Sequence, residues 1–191
     1  GSCVRTDTLV ITNGLPSEPY AGEDDTSCDD FYLLNPSTPV YGTAAWRPGS
    51  TGGAQFDGNM VRNLAQGPNE LIYEISTEWC TMRDTIIITN NKPSQSFAGH
   101  NREVCSPTYT LAATAPQYGV GSWTLVAGAG TIDPADVNNP NAVVTGLGMG
   151  SNRFKWTVNN NGCISTSEVE IRNNFIEANA GEDNVVCSDQ T

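Results

Sequence analysis

Three stretches of the chain begin alike, and their spacing limits the fold more than any other feature. Ala21-Gly22-Glu23-Asp24-Asp25-Thr26-Ser27-Cys28, Ala98-Gly99-His100-Asn101-Arg102-Glu103-Val104-Cys105 and Ala180-Gly181-Glu182-Asp183-Asn184-Val185-Val186-Cys187 each open on Ala-Gly and reach a cysteine a few residues later. A recurrence at this interval is too long for a solenoid repeat and suits a small independent domain. The residues that follow also match: Pro39-Val40-Tyr41-Gly42 and Trp46 align with Pro116-Gln117-Tyr118-Gly119 and Trp123, each Trp standing equally far beyond its cysteine. A tandem array is the implied organisation. Residues 20–91 and 92–174 form two expected repeats, 1–19 the terminal strand and linker of a preceding one, and 175–191 the start of a following one.

A domain of that size has a small core, and covalent staples would help it. The chain has 6 cysteines in two classes. Cys28, Cys105 and Cys187 follow an Ala-Gly start. Cys3, Cys80 and Cys163 precede an alternating run: Arg5 to Ile11, Arg83 to Ile88 and Ser165 to Ile171. One of each class per repeat argues for disulfides in an oxidising compartment. Zinc is disfavoured, because there is no Cys-x-x-Cys and His100 is the single histidine. Three connectivities are open. Bridges within a repeat, Cys28–Cys80 and Cys105–Cys163, are the first expectation, leaving Cys3 and Cys187 to partners outside the sequence. Bridges from one repeat's end to the next one's start would pair Cys3–Cys28, Cys80–Cys105 and Cys163–Cys187. A third scheme joins the base of one sandwich to the hairpin of its neighbour.

The local pattern is β throughout. Glu70 to Ser76 alternates, with apolar residues at 71, 73 and 75; Asn152 to Val158 places Phe154, Trp156 and Val158 on one face. Asn159-Asn160-Asn161-Gly162 is a strong hairpin turn, since Asn and Gly tolerate positive φ. Phe31 to Leu34, Ala44 to Arg47, Thr85 to Thr89, Tyr109 to Ala112, Ser122 to Val126, Ala142 to Thr145 and Glu168 to Arg172 are further expected strands, and the Gly-rich span 49–58 a loop. The second repeat is longer by six residues between Trp123 and Leu147 than the first between Trp46 and Leu64, so the extra length belongs to a mid-domain loop. About seven short strands per repeat, separated by frequent turns, predict an all-β fold of antiparallel sandwiches.

The runs Ala178-Asn179-Ala180-Gly181-Glu182-Asp183-Asn184-Val185-Val186-Cys187, Gly121 to Ile132, Asn141 to Leu147 and Asn152 to Cys163 resemble the PKD-like and Ig-like repeats of very large secreted Bacteroidota proteins. Gliding-motility adhesins exported by the type IX system are among them. The resemblance covers nearly the whole chain and is weaker in the first repeat, where Trp46-Arg47-Pro48-Gly49 interrupts a strand. It implies extracellular, cell-surface, non-catalytic tandem domains whose partners are neighbouring repeats of the same chain.

Charge and motifs narrow the function further. A net charge of −12 with only 9 basic residues argues against nucleic acid, whose phosphates need clustered Lys and Arg. No apolar run of membrane length is present. Asp24, Asp25, Asp133 and Asp136 are weak Ca²⁺ candidates, set against the reading of solvated acidic loops. Asp7-Thr8-Leu9 and Asp84-Thr85-Ile86 resemble a short Bacteroidota O-glycosylation motif that would modify Thr8 and Thr85; ordinary strand alternation is the competing account. Trp46 and Trp123 are core aromatics on one reading and sugar-stacking platforms on the other. No reactive constellation stands out for catalysis. The expected role is a disulfide-stapled spacer in a long surface adhesin or filament. The alternative is direct binding of polysaccharide or an abiotic surface through loops 47–60 and 127–141.

Overall fold

A computed structural model of the chain describes residues 1–50, 52–176 and 178–181, in which all regular structure is β. Internal contacts divide it into two units: Gly1–Pro93 with Asn160–Cys163, and Ser94–Asn159 with the segment from Ile164 onward.

In the first unit the strands are β1 (Asp25–Ser27), β2 (Phe31–Leu33), β3 (Thr43–Pro48), β4 (Gln55–Asp57), β5 (Met60–Arg62), β6 (Gly67–Ser76) and β7 (Thr81–Asn90). They form two sheets, ordered β1-β7-β6-β3 and β2-β5-β4. The alternation of β6 is the organising pattern: Leu71, Tyr73 and Ile75 are buried, and Ile86 and Ile88 of the antiparallel β7 join them. Val61, Leu34 and Leu64 close the core from the other sheet's side. The β4 strand lies inside the Gly-rich span expected to be loop. Phe56 there packs against the core and stacks on Trp46 at 5.9 Å.

In the second unit β8 (Arg102–Val104), β9 (Tyr109–Thr110), β10 (Val120–Ala127), β11 (Thr131–Ile132), β12 (Val143–Thr145), β13 (Gly150–Asn160) and β14 (Cys163–Asn173) repeat the arrangement, with orders β10-β13-β14-β8 and β11-β12-β9. Phe154, Trp156 and Val158 are buried on one face of β13, and Trp123 tilts against Trp156 at 4.9 Å. Asn161 and Gly162 both have positive φ, which permits the tight turn between the two long strands. The extra length of this repeat supplies a loop whose Val137 carbonyl accepts from Trp123 N, while Asn138 Nδ2 donates to Gly121 O. That loop covers the outer edge of β10, which would otherwise offer an unpaired ladder.

Each unit's first strand pairs parallel with its last, Asp25 to Ser27 beside Ile88 to Asn90 and Arg102 to Val104 beside Ile171 to Asn173. Residues 4–12, read from their alternation as a strand, carry no ladder, and Leu9 and Ile11 are more than four-fifths exposed. A strand needs a neighbour to accept its hydrogen bonds.

Candidate functional site

The cysteines are where sequence expectation and structure differ most. Cys28 is bonded to Cys163, with a Cα–Cα distance of 5.3 Å, inside the usual disulfide range. Cys3, Cys80 and Cys105 are free thiols, and Cys187 lies outside the described residues. The expected Cys28–Cys80 and Cys105–Cys163 bridges are therefore not formed, and the parallel strand pairs explain why. Cys28 follows β1, whose end sits beside Asn90 at the C-terminal end of β7, whereas Cys80 immediately precedes the N-terminal end of β7. The length of β7 separates them, about 30 Å at ~3.3 Å per residue. Cys105, after β8, is separated from Cys163 by β14 in the same way. The end-to-start scheme fails as well, since Cys28 and Cys163 are already partners. The bond found is of the third kind: a start-class cysteine joined to the hairpin-class cysteine of the repeat that follows in sequence.

Residues 160–163, the turn carrying Cys163, cluster with the first unit. Asn160 Nδ2 donates to Asn91 O at 3.0 Å and Asn161 Nδ2 to Asn91 Oδ1 at 3.2 Å. Asn91 N in turn donates to Ser27 O, beside Cys28. The bridge and these amides form one local construction.

The acidic candidates work as backbone acceptors. Asp24 Oδ1 accepts from Ile87 N, and Asp25 accepts from Thr26 N and, at 2.6 Å, from Tyr32 OH. The Tyr32 bond, with the Thr26 amide behind it, holds the Asp25 carboxyl below its ordinary range. Asp133 Oδ1 caps the turn by accepting from Ala135 N, and Asp136 N donates to Asp133 O. Each pair stays within its own unit, and no group of three or more His, Cys, Asp or Glu suited to a metal occurs among the described residues. Thr8 and Thr85 are both exposed, and the backbone N of each donates to the carboxylate just before it, Asp7 or Asp84. Asp84 also accepts from Ala21 N, so the Asp-Thr pair has a structural use in the first unit.

Several contacts were not anticipated from sequence. Buried Glu74 receives Arg83 Nε at 2.8 Å and Arg47 Nη2 at 3.2 Å, and those guanidiniums, Arg83 foremost, hold its carboxyl below the usual range. Asn69 and Asn152 are buried and equivalent. Asn69 Nδ2 donates to Ala65 O, Gly67 O and Ile88 O; Asn152 Nδ2 donates to Gly148 O, Gly150 O and Ile171 O. Asn90 and Asn173 likewise donate to Leu64 O and Leu147 O. The repeated Gly-x-Asn at 67–69 and 150–152 was the available signal. In loop 47–60, Ser50 N and Oγ both donate to Glu70 Oε2, which holds the segment against β6.

No protein-family model and no curated protein matches the sequence. Solved structures do. The insect immune protein hemolin aligns over 88% of this chain and 49% of its own, at 11% identity and a TM-score of 0.51. Extracellular domains 3–5 of Drosophila OTK align over 81% of this chain and 59% of their own, at 8% identity and TM-score 0.45. A SusE-like surface polysaccharide-binding protein of Bacteroides thetaiotaomicron aligns over 83% and 34%, at 12% identity and TM-score 0.34. The chain spans about half the length of the first of these neighbours. At such identities the likeness concerns the fold alone: an all-β chain of Ig-like sandwiches.

Proposed function

We propose that this chain is a non-catalytic spacer segment of a long extracellular surface protein, an array of Ig-like units that holds a binding region away from the cell. The observation that carries this reading is duplication at the level of single hydrogen bonds. The same two sheets, the same asparagine latches and the same two cysteine positions recur in both copies. Two further points support this reading. Leu9 and Ile11 occupy the positions of buried Ile86 and Ile88, as the closing strand of a preceding unit would. A disulfide and a strongly acidic composition suit an extracellular setting. The gliding-adhesin type is the finer form of the same proposal. Replacing residues 20–174 of the parent protein by an unrelated sandwich pair of equal length should leave surface attachment intact. Loss of attachment would move the binding role into these units.

One observation favours that second reading. Trp46 and Phe56 are stacked within 8° of parallel, only half-buried, beside loop 47–60, and such a pair can support a sugar ring. Polysaccharide binding by the isolated chain that disappears in Phe56→Ala would establish it. Thr8 and Thr85 remain proposed O-glycan acceptors, tested by intact mass of the native protein. Ca²⁺ at Asp24 and Asp25 or at Asp133 and Asp136 would show as a chelator-sensitive Tm.

A further inference from the structure

We propose that Cys80 and Cys105 are complementary half-bridges for further sandwiches of this same type, so that start-to-hairpin disulfides run the length of the array. Cys105 would take the hairpin-class cysteine of a following unit, and Cys80 the start-class cysteine of a preceding one. This rests on the tandem half of the proposed function.

The two halves of the bonded site are each duplicated in detail. Cys28 follows the short first strand, and the amide of Asn91 donates to the carbonyl of the residue before it, Ser27, at 2.8 Å. Cys105 follows the short first strand of its own unit, and Asn174 N donates to the carbonyl of the residue before it, Val104, at 2.7 Å. The free Cys105 is exposed. The receiving corner, a cysteine beside an asparagine, is therefore built twice.

The donating half is also built twice. Cys163 opens the last long strand after a turn whose Asn160 Nδ2 reaches Asn91 O. Cys80 directly precedes the last long strand after a turn whose Thr77 Oγ1 reaches Gly14 O at 2.7 Å. Thr77 precedes Asn160 by the same interval that separates Cys80 from Cys163, and Gly14 precedes Asn91 by the interval between the first two Ala-Gly starts. Both turns thus engage the same carbonyl position of the segment leading into their unit. In one case the turn's cysteine is bonded to the start-class cysteine of the repeat before it. In the other the thiol is free, with Trp79 beside it 62% exposed. A second sandwich supplies the matching cysteine, backbone and asparagine; no small ligand does. Forming the bond removes two electrons and two protons from the paired thiols. Glutathione disulfide accepts them and is cleaved to two glutathione thiols.

The test is a two-copy chain, residues 1–174 followed directly by 15–191, which keeps the repeat register at the junction. Cys3 and Cys187 are changed to Ser throughout. In one version Cys80→Ser in the first copy and Cys105→Ser in the second leave Cys105 facing the downstream Cys80. In the control, Cys105→Ser in the first copy and Cys80→Ser in the second leave the outward-facing pair. After refolding in glutathione redox buffer, the first version should show no alkylatable thiol and a Cys105–Cys80 linked peptide, with Cys28–Cys163 in both copies. The control should show two alkylatable thiols. Equal alkylation of the two versions in folded protein overturns the bridge while leaving the tandem reading standing. A two-copy chain that fails to give the strand-rich far-ultraviolet spectrum and Cys28–Cys163 bonds of the single chain overturns both.

Discussion

The amide of Asn152 is closed off from water and donates to three carbonyls, while its oxygen accepts from Ala129 N at 2.8 Å. The carbonyls lie in the bend entering β13 and on β14, and Ala129 lies in the turn after β10, so one side chain ties three segments together at one corner. Asn152→Ala should destabilise the second unit by about 3 kcal/mol, because it leaves several buried polar groups unpaired. The urea midpoint measures this, and a change under ~1 kcal/mol would show that water takes over the role. Glu74 acts differently. Its carboxyl is lowered on folding, so the stability it adds is complete above the ordinary glutamate value and disappears as pH falls through the lower native value. The equivalent positions in the second unit are Thr157, with Thr124 and Thr166 in place of the two arginines, so this acid sensitivity belongs to the first unit. Glu74→Gln should lower its stability at neutral pH and make no difference at pH well below the carboxylate range. An equal gap between variant and parent at both pH values would show that the ion pairs do not contribute.

At the scale of elements, the long central strands were legible because each carries its own period-two signal. In the second unit the hairpin ends at an unambiguous turn, whereas the turn at 77–80 of the first unit carries no Asn-Gly signal. Trp156 and Val158 on β13, Leu71 and Ile75 on β6, and the Asn161-Gly162 turn all follow from local residues. The short strands were not: β1 and β8 are brief segments with mostly polar side chains, and they exist because β7 and β14 present a free edge to them. That same long-range pairing decides which ends of a sheet meet, and so it decides the cysteine partners. Spacing along the chain carries no such information, which is why Cys28–Cys80 was a reasonable expectation and a wrong one. Non-reducing peptide mapping of the isolated chain should return Cys28–Cys163 and alkylated Cys80 and Cys105; a Cys28–Cys80 peptide would contradict the parallel pairing. Cys163→Ser should cost roughly 2–5 kcal/mol, the usual range for loss of a native bridge, read from the denaturant midpoint under oxidising conditions. The buried latches at Asn69, Asn152, Asn90 and Asn173 escaped notice because a polar residue inside a strand reads as a face change until the carbonyls it serves are known.

For the molecule as a whole, charge governs behaviour in solution more than any single contact does. A net charge of −12 keeps copies apart at neutral pH. Turbidity and light scattering should rise to a maximum near the sequence pI of about 4.2 and fall again on either side; a flat profile would mean that the exposed aliphatics of residues 4–11, not charge, control association. The repeat pointed to the class of sandwich, yet the covalent wiring depends on long-range strand pairing that the spacing of the cysteines does not encode.

The 135-residue separation of Cys28 and Cys163 also bears on load. A chain stretched from its two ends transmits force directly from one sulfur to the other, and everything between them is bypassed. Roughly 450 Å of contour, at ~3.3 Å per extended residue, stays stored while the bond holds. In a single-molecule pull only the segments outside the bridge should lengthen, and adding a reductant should release that hidden reserve. A tether carrying such bonds yields little under drag, and its reach is set by redox chemistry.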